Sequence, residues 1–347
     1  MERDIKLIVS TPAKPNRLSK KLLITGANGF VGSWMVEAAI AQGYNVYAGV
    51  RKSSNLKYLT DPRIHFFYYS FEQEDKLREQ LVTHNFDYII LNAGVTTAKN
   101  KETYFKINAG YTRKFCRILL EENIIPLKLV YVSSLASYGP ANLQMKQILD
   151  SDSTPHPVTW YGESKLQAEQ FIEGIKKIPS LIFRPTAVFG PRDQDMISVY
   201  KTIKIGLSPK IGVGNMDATF IYVKDLAKLI IDSLDSKAIR KSYFVGDGHL
   251  YPIHLFNQAI ADLLEKRIIK LTLPFFVMQI AGFFSEIIGK IKGNTPLLNR
   301  NKVKEYYARS FEVDIADLKK DFNFAPAYTL EEGLKETLEW CKTNKLL

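Results

Sequence analysis

Short apolar runs alternate with amphipathic stretches through the first half of the chain. Runs at 22–25, 44–50, 64–69, 87–91, 127–132 and 180–183 have the length and β-branched or aromatic content of buried strands. The stretches at 32–41, 74–83, 102–121 and 159–176 carry apolar residues at helical spacing. A strand–helix alternation of this kind predicts an α/β fold, a Rossmann-type doubly wound parallel sheet. Beyond residue 184 the alternation loosens. A strand at 220–223 and a helix at 227–234 are expected to return to the main sheet, with 243–245 as a further strand. The remainder forms a smaller, mostly helical C-terminal substrate lobe.

The expected organisation is a polar tail over 1–17 and a nucleotide-binding domain over 18–185, to which 217–247 returns. A substrate lobe takes 186–216 and 248–335, and 336–347 forms the C-terminal end. The apolar stretch 271–291 is interrupted by Gln279, with Glu286 and Lys290 close behind. It is too short to span a bilayer. A helix starting near Pro274 is expected to be buried or to line a pocket, and peripheral membrane contact through 271–291 is the alternative.

Composition narrows the class. The chain has 347 residues, 46% hydrophobic and 24% charged, which is ordinary for a globular protein. Its two cysteines, Cys116 and Cys341, offer no disulfide framework and fit a reducing cytoplasm. The five histidines have no metal-ligand spacing, and no metal is expected. The net charge of +11 is spread along the chain, with modest clusters at 14–21 and 302–304, and no nucleic-acid module is recognised. The expected partner is a small-molecule substrate, with a homodimer left open.

Candidate chemistry lies at the strand ends. Gly26-Ala27-Asn28-Gly29-Phe30-Val31-Gly32 follows the first strand and opens a helix. This is the context in which backbone amides at a helix N-terminus receive a phosphate. Tyr161 and Lys165 are spaced to share a helix face. An ammonium there can stabilise the ionised form of a phenol, whose free pKa of ~10 is too high for an efficient base near neutrality. Asn92, Ala93 and Gly94 follow the fourth strand, Ser134 the fifth, and Arg184 and Pro185 the sixth.

In order and spacing these motifs resemble the extended short-chain dehydrogenase/reductase superfamily, the NAD-dependent epimerase/dehydratase family, over roughly residues 20–342. The glycine turn resembles its cofactor motif. Val130 to Ser134 with Tyr138-Gly139 is similar to its catalytic-serine strand, and Tyr161-Gly162-Glu163-Ser164-Lys165 to its active-site frame. Arg184-Pro185 with Val188-Phe189-Gly190-Pro191-Arg192 is similar to the segment over the nicotinamide. Phe220 to Val223 with Asp225-Leu226-Ala227 matches a further signature. The resemblance implies a Ser134, Tyr161 and Lys165 catalytic set, with Tyr161 moving the proton and Lys165 also binding the nicotinamide ribose. Asn108 is similar to a family asparagine with a structural or proton-path role.

The cofactor set implied is Gly26, Asn28, Gly29, Phe30, Val31, Gly32, Arg51, Ser70, Phe71, Asn92, Ala93, Gly94, Tyr161, Lys165, Arg184, Pro185 and Val188. Arg184 is equally readable as a strand-end charge. The second strand ends in Arg51 with no acid for a ribose 2′-hydroxyl, which favours NADP, with NAD as the alternative. Ser70-Phe71 replaces the family's adenine-side pair of an Asp and a hydrophobic residue.

Two departures bear on the reaction. Leu135-Ala136 stand where the family's dehydratases carry an Asp-Glu pair. Ala218 stands where nucleotide-sugar epimerases typically carry a phosphate-binding arginine, for which Arg192 or a nearby lysine can substitute. The expectation is hydride transfer between nicotinamide and a carbonyl or alcohol of a small, hydrophobic substrate, of the dihydroflavonol-reductase-like or hydroxysteroid-dehydrogenase-like type. The alternatives are a sugar or nucleotide-sugar epimerase and a non-catalytic cofactor-binding sensor or scaffold.

Overall fold

The computed structural model describes residues 17–141, 148–211, 217–274, 276–280, 282, 285 and 310–347. The strands of the first half are β1 (Lys21–Thr25), β2 (Asn45–Val50), β3 (His65–Tyr68), β4 (Tyr88–Leu91), β5 (Lys128–Val132) and β6 (Ser180–Pro185). Their intervening helices are α1 (Phe30–Ala41), α2 (Glu74–His84), α3 (Lys101–Tyr104), α4 (Tyr111–Glu121) and α5 (Trp160–Gly174). The later strands are β7 (Ala187–Phe189), β8 (Leu207–Ile211), β9 (Asp217–Ala218), β10 (Phe220–Tyr222), β11 (Lys241–Val245), β12 (Tyr251–Pro252), β13 (Ile269–Leu273) and β14 (Ser310–Phe311). The later helices are α6 (Ile197–Lys204), α7 (Val223–Ser233), α8 (Ile253–Leu263), α9 (Ala316–Phe322) and α10 (Leu330–Thr343).

The main sheet has seven parallel strands in the order β11-β6-β5-β4-β1-β2-β3. Alternation within strands divides its two cores. Leu22 and Ile24 join Val130 and Val132 beneath α1 and α7. Leu23, Leu129 and Tyr131 join Leu77, Phe115 and Ile172 beneath α2, α4 and α5. Helices on both faces explain why β4 and β5 are buried along their whole lengths and read as continuous apolar runs. The chain runs outward from β1 in one direction and from β4 in the other, so the switch point lies between them. Ligands of doubly wound sheets bind beyond the strand ends at that place.

Several expectations change. The strand expected at 220–223 does not return to the main sheet: β10 pairs with β7, and β11 takes the sheet edge beside β6. The single helix expected at 102–121 is broken by a π-helical segment, Phe105–Gly110, where Asn108 is bonded to another part of the chain. The boundary placed at 335 falls inside α10, whose Leu334, Leu338 and Cys341 join Phe189, Tyr200, Phe220 and Phe256 in the lobe's own core. That helix opens on a capping box of Thr329 and Glu332.

Small sheets supplement the helices of the lobe, pairing β13 with β8 and joining β12, β9 and β14. The burial expected after Pro274 is not found over 276–280, where Phe276, Val277 and Ile280 are exposed. Residues 275, 281, 283–284 and 286–291 of the 271–291 stretch lie outside the described residues, as do the basic cluster at 302–304 and residues 1–16 of the tail. No helix among the described residues is long and apolar enough to cross a membrane.

Candidate active site

The glycine turn is built from steric demands. Gly26 has φ +64°, and a Cβ there would meet the Ala93 backbone at 2.9 Å. This close approach joins the ends of β1 and β4, which Thr25 fastens by accepting the backbone N–H groups of Asn92 at 3.0 Å and Ala93 at 3.1 Å. A Cβ on Gly32 would overlap the Gly26 carbonyl. Gly29 is different: it lies exposed at the apex, where an added Cβ meets only the Gly26 oxygen, at 3.3 Å. Its backbone is therefore open to a ligand. Gly29 caps α1 without a side-chain hydrogen bond, leaving the first-turn amides of Phe30 and Val31 available to an anion. The cradle fits a dinucleotide pyrophosphate.

Tyr161 and Lys165 lie on the first turns of α5, which Thr159 caps by accepting the Gly162 N–H at 3.1 Å. Lys165 is buried, donates to the Val132 carbonyl at 2.6 Å and lies 4.5 Å from the centre of the Tyr131 ring. Burial pushes its ammonium down to about 8, opposed by the nearby charge of Glu169. A Cβ on Gly94 would lie 3.9 Å from Lys165 Nζ, so the β4 and β5 loops meet at the lysine. Tyr161 is half-buried, and the buried Tyr131 phenol senses both it and Glu169.

The two adjacent serines are separated by geometry. Ser133 is buried, and its hydroxyl donates to Glu169. Ser134 is half-buried, and its Oγ accepts the Ala136 N–H at 3.2 Å, with no acceptor for its own proton among the described residues. Asn108 is fully buried. It accepts from Val95 N–H at 2.9 Å and donates to Val95 O at 3.1 Å and Ser164 Oγ at 2.9 Å. Those bonds lock the β4 loop onto α5, a structural role.

The remaining candidates divide. Arg51 is exposed after β2, with its guanidinium unpaired among the described residues. Asn92 Nδ2 donates to the Gly26 carbonyl at 3.4 Å. Ser70 turns the chain by accepting the Glu72 N–H, and Phe71 stacks on Tyr111 at 4.2 Å. Pro185 ends β6 and Val188 lies in β7. Arg184 is held in the strand-end ion pair: its Nε lies 2.8 Å from Glu169 Oε2 and its guanidinium 4.4 Å from the Tyr138 ring centre.

Arg192 is unsuited to replace a phosphate-binding arginine, because Ser33, Glu37 and the Trp34 ring already engage it. Trp34 Nε1 also donates to Pro191 O at 3.0 Å, pinning this segment to α1. Asp225 accepts the backbone N–H groups of Ala327 and Tyr328, tying α7 to the approach to α10. Among the residues that sequence reasoning missed, Glu169 carried a legible signal: it follows Lys165 by four on a helix and is a charge on a buried stripe.

A glycine turn at the switch point, with a helix that carries Tyr161 and sets Lys165 against the ends of β4 and β5, has the layout of a nicotinamide-dependent α/β enzyme. Residues 22–246 match the model of the NAD dependent epimerase/dehydratase family, and the chain belongs to that family. It is 28% identical to the N-acetyl-alpha-D-glucosaminyl-diphospho-ditrans,octacis-undecaprenol 4-epimerase of Escherichia coli O157:H7, over 93% of this chain and 96% of that one. It is 23% identical to the UDP-glucose 4-epimerase of Vibrio cholerae, over 93% and 96% of the two chains. The fold matches a crystal structure of UDP-glucose 4-epimerase with UDP-glucose from Thermotoga maritima at a TM-score of 0.77, with 18% identity, 94% of this chain and 99% of that chain covered.

Proposed function

We propose that this protein is a nicotinamide-dependent epimerase that inverts a hydroxyl-bearing carbon of a sugar carried on a diphosphate. The observation that carries the reading is the serine–tyrosine–lysine set at the switch point, followed by Leu135 and Ala136. Neither of those side chains can exchange a proton, so an elimination of water has no acid–base pair there. The named activities of the relatives from Escherichia coli and Vibrio cholerae support the same reading.

A bound nicotinamide would supply reversible hydride exchange at the carbon that is inverted. Tyr161 takes the proton from the sugar hydroxyl as the carbon is oxidised and returns it to the oxygen when the carbon is reduced from the other face. Lys165 favours the ionised phenol and contacts the cofactor ribose. Ser134 donates to the oxygen that becomes a carbonyl. Gly26, Asn28, Gly29, Phe30, Val31 and Gly32 hold the pyrophosphate, and Arg51 favours NADP over NAD by pairing with a 2′-phosphate.

Net oxidation or reduction of a carbonyl or alcohol is the second reading. Ala218, which supplies no charge for a nucleotide diphosphate, favours it. The two part in one experiment, in which UDP-sugars and a polyprenyl-diphospho-sugar are each incubated with the holoenzyme while cofactor absorbance and product stereochemistry are followed. Epimerisation with no net cofactor change is expected. Stoichiometric cofactor turnover supports the second reading instead, and tight cofactor binding without turnover on any substrate indicates a sensor or scaffold.

A further inference from the structure

Seven of the fourteen large hydrophobic side chains that lie exposed among the described residues fall within 205–207 and 269–280. Single exposed hydrophobics are ordinary on a protein surface; a gathered set is not. The gathering follows from pairing. Ile269 stands opposite Leu207 in the parallel β13–β8 ribbon, and Ile269 N–H donates to Gly206 O at 2.8 Å. Alternation along the ribbon places Leu271 on the same face as Ile269. Ser208 points the other way, into the lobe, where Asn257 donates to it. Ile205 and Ile269 are 73% and 70% exposed. The chain then turns at Pro274 into the helical segment 276–280, where Phe276 and Ile280, one helical turn apart, are 64% and 52% exposed.

Cations frame this face. Lys201 and Lys204 precede Ile205 on α6, Lys266 and Arg267 precede Ile269, and Lys270 lies between Ile269 and Leu271. All five are exposed, and none is in an ion pair among the described residues. Among the described residues, Asp262 and Glu265 are the acids nearest these cations along the chain, so positive charge predominates. An isologous contact with a second copy would bring these cations against one another. A surface that is apolar in depth and anionic at its boundary complements both features, because long basic side chains keep their heads at the interface while the apolar ones enter.

We propose that the face formed by β8, β13 and residues 276–280 docks on an anionic lipid bilayer, holding the substrate lobe at the membrane surface. This inference stands on the exposed face and its charge, independently of the reaction at Tyr161.

The test is flotation of the full chain with vesicles of phosphatidylcholine alone and with phosphatidylglycerol added, with no sugar substrate present. Binding to the anionic vesicles is expected, weakening as salt is raised. Ile269→Glu with Phe276→Glu should weaken it by about tenfold or more, with thermal unfolding and cofactor affinity close to the parent's. Lys204→Glu with Lys270→Glu should weaken binding to anionic vesicles and abolish its salt dependence. Absence of binding by the parent, or unchanged binding by both variants, would overturn the proposal. So would a parent dimer that Ile269→Glu converts to monomer, since the face would then belong to a second copy.

Discussion

Glu169 and Arg184 form a buried ion pair at 2.8 Å between α5 and the end of β6, with side chains 1% and 7% exposed. The other Glu169 oxygen takes the Ser133 hydroxyl, and the Arg184 guanidinium lies over Tyr138. One carboxylate thus joins the helix bearing Tyr161 and Lys165 to two strand ends. Glu169→Ala leaves a buried guanidinium without its main counter-charge and is predicted to destabilise the fold by about 3–5 kcal/mol. Glu169→Leu combined with Arg184→Met should recover much of that loss. Urea unfolding of the parent and these two variants checks this, and equal losses in the single and double variants would show that the pair is not the cause.

Lys165 carries a different strain, because its ammonium is buried without a carboxylate of its own. Its depressed value, about 8 against the ordinary 10.5, means that burial disfavours the charged form. Below about 8 the group is protonated in both folded and unfolded chains, and the penalty is fully present. Between about 8 and 10.5 the unfolded chain keeps a proton that the folded chain has released, so this group's contribution to stability rises with pH. Lys165→Met is predicted to stabilise the apo-protein at pH 7 by roughly 1–3 kcal/mol, less what the unpaired Val132 carbonyl costs, while abolishing turnover. The advantage should shrink as pH is raised toward 10. A difference in urea stability that does not vary with pH would contradict the assignment.

Arg51 sets the third prediction. With no acid at the end of β2 and a guanidinium there that is unpaired among the described residues, NADPH is expected to bind more tightly than NADH. Arg51→Asp should erase or reverse the preference, by roughly 1–3 kcal/mol for loss of a charge-assisted contact to the 2′-phosphate. Fluorescence titration with the two cofactors decides the point, and equal affinities in the parent would remove Arg51 from the cofactor site.

The parts of this architecture that depend on local sequence were legible. The central strands β4 and β5 are apolar runs because helices cover both faces, and Gly26 and Gly32 mark places where no side chain fits. Less legible was pairing at a distance. Nothing in Phe220-Ile221-Tyr222 distinguishes a strand of the main sheet from one paired with Ala187–Phe189. The apolar run after Ile269 gave no sign of facing outward, because periodicity reports a face and not what covers it. At the candidate site, the sequence nominates Ser134, Tyr161 and Lys165 and leaves Arg184 open between a cofactor contact and a strand-end charge. Its role depends on Glu169, a partner fifteen residues away, and on Tyr138 from a third element.

The last prediction isolates the proton-transfer step. Tyr161 lies on α5, away from the glycine turn at the start of α1, so its hydroxyl can be removed without disturbing the pyrophosphate cradle. Tyr161→Phe is predicted to lower kcat by roughly 10²–10⁴-fold, the span ordinarily contributed by a positioned acid or base. Cofactor affinity should stay within a few-fold of the parent's, and Lys165 should retain its bond to Val132, which does not involve the phenol. Ser134→Ala removes a donor to the reacting oxygen but also the cap accepted from Ala136, so a smaller loss of kcat with a slight loss of stability is expected. Steady-state kinetics beside cofactor titration reads both. Near-parental turnover by Tyr161→Phe would mean that another group moves the proton, and loss of cofactor binding would mean that Tyr161 chiefly holds the nicotinamide end in place.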